Sequence, residues 1–265
     1  MRKYIEIFKI EIKKNIAYRF QIWARLLGDV VFMVMWYCVW RGLYGNPSNV
    51  YNHVEFQQTI FYIMVAQFLI TINNAGSPMW PLEGKISSGD IVNELIKPYS
   101  YIAKCLVECG SSSFCYFAFS SIWVFTGVIL VLKIEIPLSP IVWFLFVVSA
   151  VLGYLIRFFI ELAFSFLSFW LIHIQGIRAL FTFFISVISG SVIPLYFFPA
   201  KLSMIARILP FQSIYYIPCQ IATGTVEQTV CVQQIALQIF WLVFSIVLAK
   251  CVWALGKRKM VVQGG

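Results

Sequence analysis

Long apolar runs separated by short polar interruptions dominate this chain. A helix needs about 20 apolar residues to cross a hydrocarbon layer roughly 30 Å thick. Runs that meet or approach this length lie at 22–44, 56–78, 102–132, 141–171, 179–197 and 230–253, and they predict six transmembrane helices. The first is strongest over Val30–Trp40, and the third has no charge from Cys109 to Leu132. Residues 1–21 follow a different rhythm. Ile5, Phe8, Ile12 and Ile16 recur at helical spacing, with Arg2, Lys3, Lys9, Lys13, Lys14 and Arg19 among them. That pattern predicts an amphipathic helix lying on an anionic lipid surface.

Two stretches break the alternation. Between the second and third runs, residues 84–100 are polar. Asp90 is placed to cap a short helix. Ile91, Leu95 and Ile96 would share one face, with Glu94 and Lys97 at i, i+3 spacing on the other. Pro98 ends that helix, and Ser100 can cap the next. The second stretch, 194–224, is apolar but interrupted by Pro194, Pro199, Pro210 and Pro218. It predicts two short helices that dip into the bilayer or lie on it, because irregular backbone at that depth must be covered by protein or face water.

Within the runs, a few polar residues stand out as candidates for a wet path or a protein interface: Asp29, Gln67, Asn73, Asn74, Ser186 and Ser189. Arg25 lies one turn before Asp29, and Arg157 one turn before Glu161, so each can form a local ion pair. Gly110, Ser111, Ser112 and Ser113 form a small-residue patch suited to close helix packing.

Composition narrows the class. The chain is 61% hydrophobic, 18% aromatic and 12% charged over 265 residues, far from a soluble domain's quarter charged. It reads as a single membrane domain, 1–265, without a folded soluble domain. Its first 20 residues lack a small-residue cleavage site and do not resemble a signal peptide. The net charge of +9 is distributed for a membrane rather than for nucleic acid. Seven basic residues lie between Arg2 and Arg25, followed by Lys85, Lys97, Lys104, Arg178 and Lys257–Lys259, all on one side of a six-span topology. The other side carries Arg41, Lys133, Lys201 and Arg207. The bias places both termini and residues 84–100 in the cytoplasm and 194–224 outside.

Reactive chemistry is sparse. There is no G-x-x-x-x-G-K-[ST] loop for ATP, no H-E-x-x-H and no G-x-S-x-G. The seven cysteines are scattered and lack a metal-ligand spacing. His53, His173, Glu161 and Asp29 are the raw material for a membrane-embedded lipid-modifying enzyme, and they fall on different sides of the membrane. An ion-driven carrier would be expected to show matching broken helices in both halves; the only broken region follows the fifth run.

The layout resembles ABC-2 type transporter permeases. Ser88-Gly-Asp-Ile-Val-Asn-Glu-Leu-Ile-Lys-Pro98 is similar to that family's S-G-x-[IL]-…-L-[LI]-x-P stretch after span two. Ser189-Gly-Ser-Val-Ile-Pro-Leu-Tyr-Phe-Phe-Pro199 with Ile208-Leu-Pro-Phe211 is similar to its G-x-x-x-P-…-P-…-L-P-F segment. The ending Val262-Gln-Gly-Gly265 resembles the tail of one bacterial subgroup. The resemblance implies the membrane subunit of an exporter in a bacterial cytoplasmic membrane. The chain itself would be no enzyme and hold no cofactor; ATP and Mg would be bound by two copies of a separate ATP-binding subunit. A second permease half, the same chain or a related one, would complete a dimer. Ser88, Gly89, Asp90, Glu94, Lys97 and Pro98 would form the helix that couples to the ATPase. Spans one, two and five would line the path for a drug, antimicrobial peptide, lipid or glycoconjugate.

Overall fold

The computed structural model describes residues 2–45, 50–51, 54–132, 139–171, 174–224 and 226–260. His53, His173, the 133–138 loop and the final Val262–Gly265 motif lie outside the described residues. The architecture is a helical bundle. In chain order it comprises α1 (Arg2–Ala17), α2 (Arg19–Tyr44), α3 (Phe56–Ala75), α4 (Met79–Ser87), α5 (Ile91–Leu95) and α6 (Tyr101–Tyr116). A π-helical turn, Phe117–Ser121, joins α6 to α7 (Ile122–Leu132), and α8 (Pro140–Ser165) follows. The rest is α9 (Gln175–Ile188), α10 (Ala200–Ile208), α11 (Tyr216–Ala222) and α12 (Gln228–Met260). A two-residue hairpin pairs Val50 with Glu55 ahead of α3.

Four helical segments among the described residues are long and apolar enough to cross a membrane: Phe20–Tyr44, Tyr101–Val131, Pro140–Phe169 and Gln228–Lys259. The chain is thus an all-α, multi-pass membrane protein. α3 is a different kind of helix. Every residue from Thr59 to Ala66 is buried, more than two full turns, so protein covers it on all sides. α2, α6, α7, α8 and α11 pack around it. A helix that sees protein rather than lipid can carry Gln67, Thr71, Asn73 and Asn74, because partners within the bundle satisfy them.

The fifth apolar run departs from expectation. The helix ends at Ile188 rather than continuing to 197. Its 14 residues rise only about 21 Å. Gly190 then takes a left-handed φ of 76° and turns the chain. Beyond it the prolines start helices rather than merely breaking them. Pro194 and Pro199 immediately precede the 3-10 turn Leu195–Phe197 and α10. Pro210 opens the 3-10 turn Pro210–Ser213, and Pro218 is the third residue of α11. A first helical turn has no partner for its N–H groups, so proline loses nothing there. The second run is also shorter than expected, since α3 stops at Ala75 and α4 resumes at Met79.

The α11 region is held in the seam between α8 and α12. The buried Gln238 amide donates to Ser149 O at 3.1 Å and Ser213 O at 2.8 Å. Gly153 makes the seam possible: a Cβ there would lie 2.8 Å from both Ser213 O and Ile214 O. A second apolar cluster sits under α4 and α5. Tyr101 stacks on Trp253 at 5.4 Å between ring centroids, and Phe166 meets the same indole at 4.7 Å. Leu82, Ile91, Phe158 and Leu162 complete it.

Gly153→Ala is expected to destabilise the protein by about 1–3 kcal/mol, because backbone rather than a flexible side chain must yield. Gly110→Ala, whose Cβ would meet nothing within 4 Å, should be tolerated. Thermal melting in detergent, followed by size-exclusion chromatography, compares the two.

Candidate cavity and cytoplasmic segment

A cavity of about 530 Å³ lies among α2, α3 and α9. Four of the six path candidates line it: Asp29, Gln67, Asn74 and Ser186. Asn73 is buried but is not among the lining residues, and Ser189 serves the backbone instead. Its carbonyl accepts from Tyr216 N at 3.1 Å, which fixes the start of α11.

Asp29 does not form the expected ion pair with Arg25. The Arg25 guanidinium lies over the Tyr116 ring, 4.7 Å from its centroid. Asp29 Oδ1 instead accepts from Thr71 Oγ1 at 2.8 Å and Gln67 Nε2 at 3.4 Å. This ties α2 to α3. Oδ2 is buried without a hydrogen-bond partner among the described residues.

At the far side of the cavity each nitrogen of Arg157 makes a hydrogen bond. Its Nε donates to Glu161 Oε1 at 2.6 Å, Nη1 to the Tyr215 hydroxyl at 2.5 Å and Nη2 to Asn74 Oδ1 at 2.7 Å. Glu161 Oε2 accepts from Ser77 Oγ at 2.7 Å. The i, i+4 spacing showed the Arg157–Glu161 pair in the sequence. Its further partners come from distant segments. Asn74 stood out in the sequence as a polar residue in an apolar run but not as a partner of Arg157, and Ser77 and Tyr215 left no sequence signal.

Residues 84–100 fold differently from their sequence pattern in two respects. Asp90 precedes α5, but its side chain caps no helix N–H group. Its Oδ2 accepts from the Ser88 hydroxyl at 2.7 Å, across a turn made by Gly89 at φ 79°. Glu94 is not on the outer face but buried, beside Ile91. α5 has only five residues, so tertiary contacts rather than helical period choose its inner side. Glu94 Oε2 accepts from Lys104 Nζ at 2.6 Å and from the Tyr99 hydroxyl at 2.8 Å. Lys97 at 3.4 Å and Lys85 at 3.7 Å approach Oε1. Burial disfavours the Glu94 charge, but the Lys104 and Tyr99 hydrogen bonds and the Lys104 and Lys85 charges outweigh it, pulling its pKa from 4.5 to about 2. Outward, α5 presents Val92, 49% exposed, beside Asn93 and Leu95, and Ile96 just past its end is 77% exposed.

Two more contacts tie this segment down. Lys3 Nζ donates to Pro98 O at 3.2 Å, and the Tyr4 hydroxyl accepts from Ser100 N at 3.2 Å. α1 then runs beside α6, where Asn15 Nδ2 donates to Ser112 Oγ at 3.2 Å. Glu83 of α4 pairs with Arg178 in the first turn of α9. Ser100 caps α6, its hydroxyl accepting from Ala103 N at 3.5 Å.

A family model described as ABC-2 family transporter protein matches residues 30–264. The chain belongs to this family. The match takes in the helices that carry Gln67, Asn74, Arg157 and Glu94, and leaves out α1 and the start of α2. No curated protein matches the chain. An ABC-2 chain is the membrane component of a transporter and does not itself catalyse the driving reaction; such permeases generally work with ATP-binding subunits. All seven cysteines of this permease are free thiols. Among the described residues no three His, Cys, Asp or Glu groups come together as a metal site.

Two outcomes follow from these networks. Arg157→Met strands a buried Glu161 carboxylate and should cost about 3–5 kcal/mol, whereas the Arg157→Met/Glu161→Met double variant should recover much of it. Thermal melting of the three proteins at neutral pH checks this. Glu94 has a folded pKa below its unfolded value. Its stabilisation is therefore complete above about pH 4.5 and disappears as pH falls through about 2. Glu94→Gln should lower stability by on the order of 2–3 kcal/mol at neutral pH and remove that acid-limb contribution, as melting temperatures across the window would show.

Proposed function

We propose that this ABC-2 permease is the transmembrane subunit of an exporter driven by ATP hydrolysed on separate subunits. Residues 84–100 are its docking site for the ATPase. The observation that carries this reading is the construction of α5. A charged clamp at Glu94 locks it to the base of α6, an aromatic platform supports it, and its free tip is apolar. An apolar knob on a rigid mount suits a groove on a soluble partner. α1, latched to Pro98 and Ser100, provides a second surface beside it.

In this reading the six spans are α2, α3, α6–α7, α8, α9 and α12. The Lys and Arg bias supports an orientation with both termini and α4–α5 in the cytoplasm, and the membrane is taken to be a bacterial cytoplasmic one. The α10–α11 region is then re-entrant from outside, with Pro194, Pro199, Pro210 and Pro218 shaping it. Two ATP-binding subunits, carrying ATP and Mg, meet two permease halves, either two copies of this chain or one with a related chain. The cavity at Asp29, Gln67 and Asn74, with Ser186 at its rim, belongs to the path, and a substrate with a substantial apolar body fits its lining.

The test is a pull-down of the C-terminally tagged chain from its own host in mild detergent. The expected result is a P-loop ATPase at one copy per permease half, and any second permease appears as its own band. Ile96→Asp should abolish ATPase recovery while leaving the permease monodisperse. A chain that purifies alone, and binds no ATPase from the host when one is added, overturns the reading.

A further inference from the structure

Resting on that transport reading, we infer that the cavity at Asp29 recognises an amphipathic amine: an apolar body carrying one protonated nitrogen. The charges around the cavity differ in how they are used. Arg157 has all three of its nitrogens bonded, and its charge is cancelled by Glu161 at 2.6 Å. Arg25 is exposed and is engaged with the Tyr116 ring. Among the described residues, Asp29 alone of the cavity's charged groups has neither an ion pair nor a ring contact to engage its charge.

A carboxylate at an apolar cavity without a counter-charge is costly. An ammonium supplies a donor and the compensating charge in one contact, and charge-assisted bonds of this type are the strong ones. Thr71 and Gln67 hold Oδ1, so the carboxylate is fixed before a ligand arrives. The walls favour the rest of such a ligand. Phe32 and Trp36 line the cavity on the same helix as Asp29, with Ile63, Ile70 and Ile185 from α3 and α9. Aromatic faces attract a cation as well as an apolar body. A carboxylate ligand would instead meet Asp29 with like charge. A neutral alcohol could donate to the carboxylate but would leave its charge uncompensated.

Three cage compounds of nearly the same shape separate these cases: 1-adamantylamine, 1-adamantanol and 1-adamantanecarboxylate. Saturable binding of each, corrected for empty discs, is measured by equilibrium dialysis against the full complex in lipid nanodiscs. The wild-type protein should bind the ammonium at least tenfold more tightly than the alcohol, and the carboxylate least. Asp29→Asn should lose at least tenfold for the ammonium and change little for the alcohol, while Asp29→Glu keeps the preference. Equal binding of amine and alcohol, absence of saturable amine binding, or an Asp29→Asn protein that binds the amine like wild type overturns the inference. The isosteric set decides the matter in the wild-type protein even if Asp29→Asn fails to fold. Loss of amine selectivity in a complex that retains its ATPase removes this inference alone. Amine selectivity in a chain that recruits no ATPase leaves the site standing and removes the transport reading.

Discussion

A guanidinium buried among membrane helices must be neutralised and given acceptors, and much of this fold is arranged around meeting that demand at Arg157. A charge at that depth is expensive unless every donor finds a partner. Arg157 draws its partners from three separate parts of the chain: Glu161 one turn on in α8, Asn74 at the end of α3, and Tyr215 just before α11. Through Glu161 the demand reaches Ser77 in the link between α3 and α4. One side chain therefore ties together the end of the central helix, the residue before α11 and, through Glu161, the link to the polar segment.

The same logic explains why α3 is the least lipid-like of the long helices. With protein on all sides over Thr59–Ala66, its polar groups face partners instead of hydrocarbon. Thr71 and Gln67 reach Asp29 on α2, and the Ile72 carbonyl accepts from Ser113 on α6. The small-residue patch at 110–113 works in both directions. Ser113 meets α3 and Ser112 meets α1, so α6 is gripped between an interior helix and a surface one.

Apolar periodicity made the membrane class and the places where the long runs break legible in the sequence, because lipid enforces a length and a composition that few other environments share. It did not give the number of long helices, since six runs were expected and four described helices are long and apolar enough to cross. Asp29, Gln67 and Asn74 stood out in the sequence as well, since a polar residue in such a run needs a cause, but that they line one cavity did not. What stayed hidden depended on contacts between distant segments. Glu94 falls on the polar face of an ideal helix, yet Lys104, ten positions later, turns it inward. Arg25 and Asp29 have ideal pairing distance along the chain, but the Tyr116 ring and Thr71 are better placed in space. Thr71 and Tyr215 gave no signal, since a threonine or tyrosine in an apolar run is ordinary.

The short α9 shows how far the solvent constrains the backbone as well as the side chains. A helix of about 21 Å leaves roughly 9 Å of a hydrocarbon layer to be covered by something else. Whatever follows has peptide groups that lipid cannot satisfy. After Ile188 three of these peptide groups, all carbonyls, are met from within the bundle. The Gly190 carbonyl accepts from the Tyr62 hydroxyl at 2.8 Å, and the Ser189 carbonyl from Tyr216 N at 3.1 Å. Ser213 O accepts from Gln238 at 2.8 Å. Tyr62 lies on the protein-covered stretch of α3 and Gln238 at a buried position of α12, so the irregular segment depends on α3 and α12 flanking it. The proline pattern that marks residues 194–224 is therefore half of a design whose other half is a tyrosine and a glutamine placed far away in the chain.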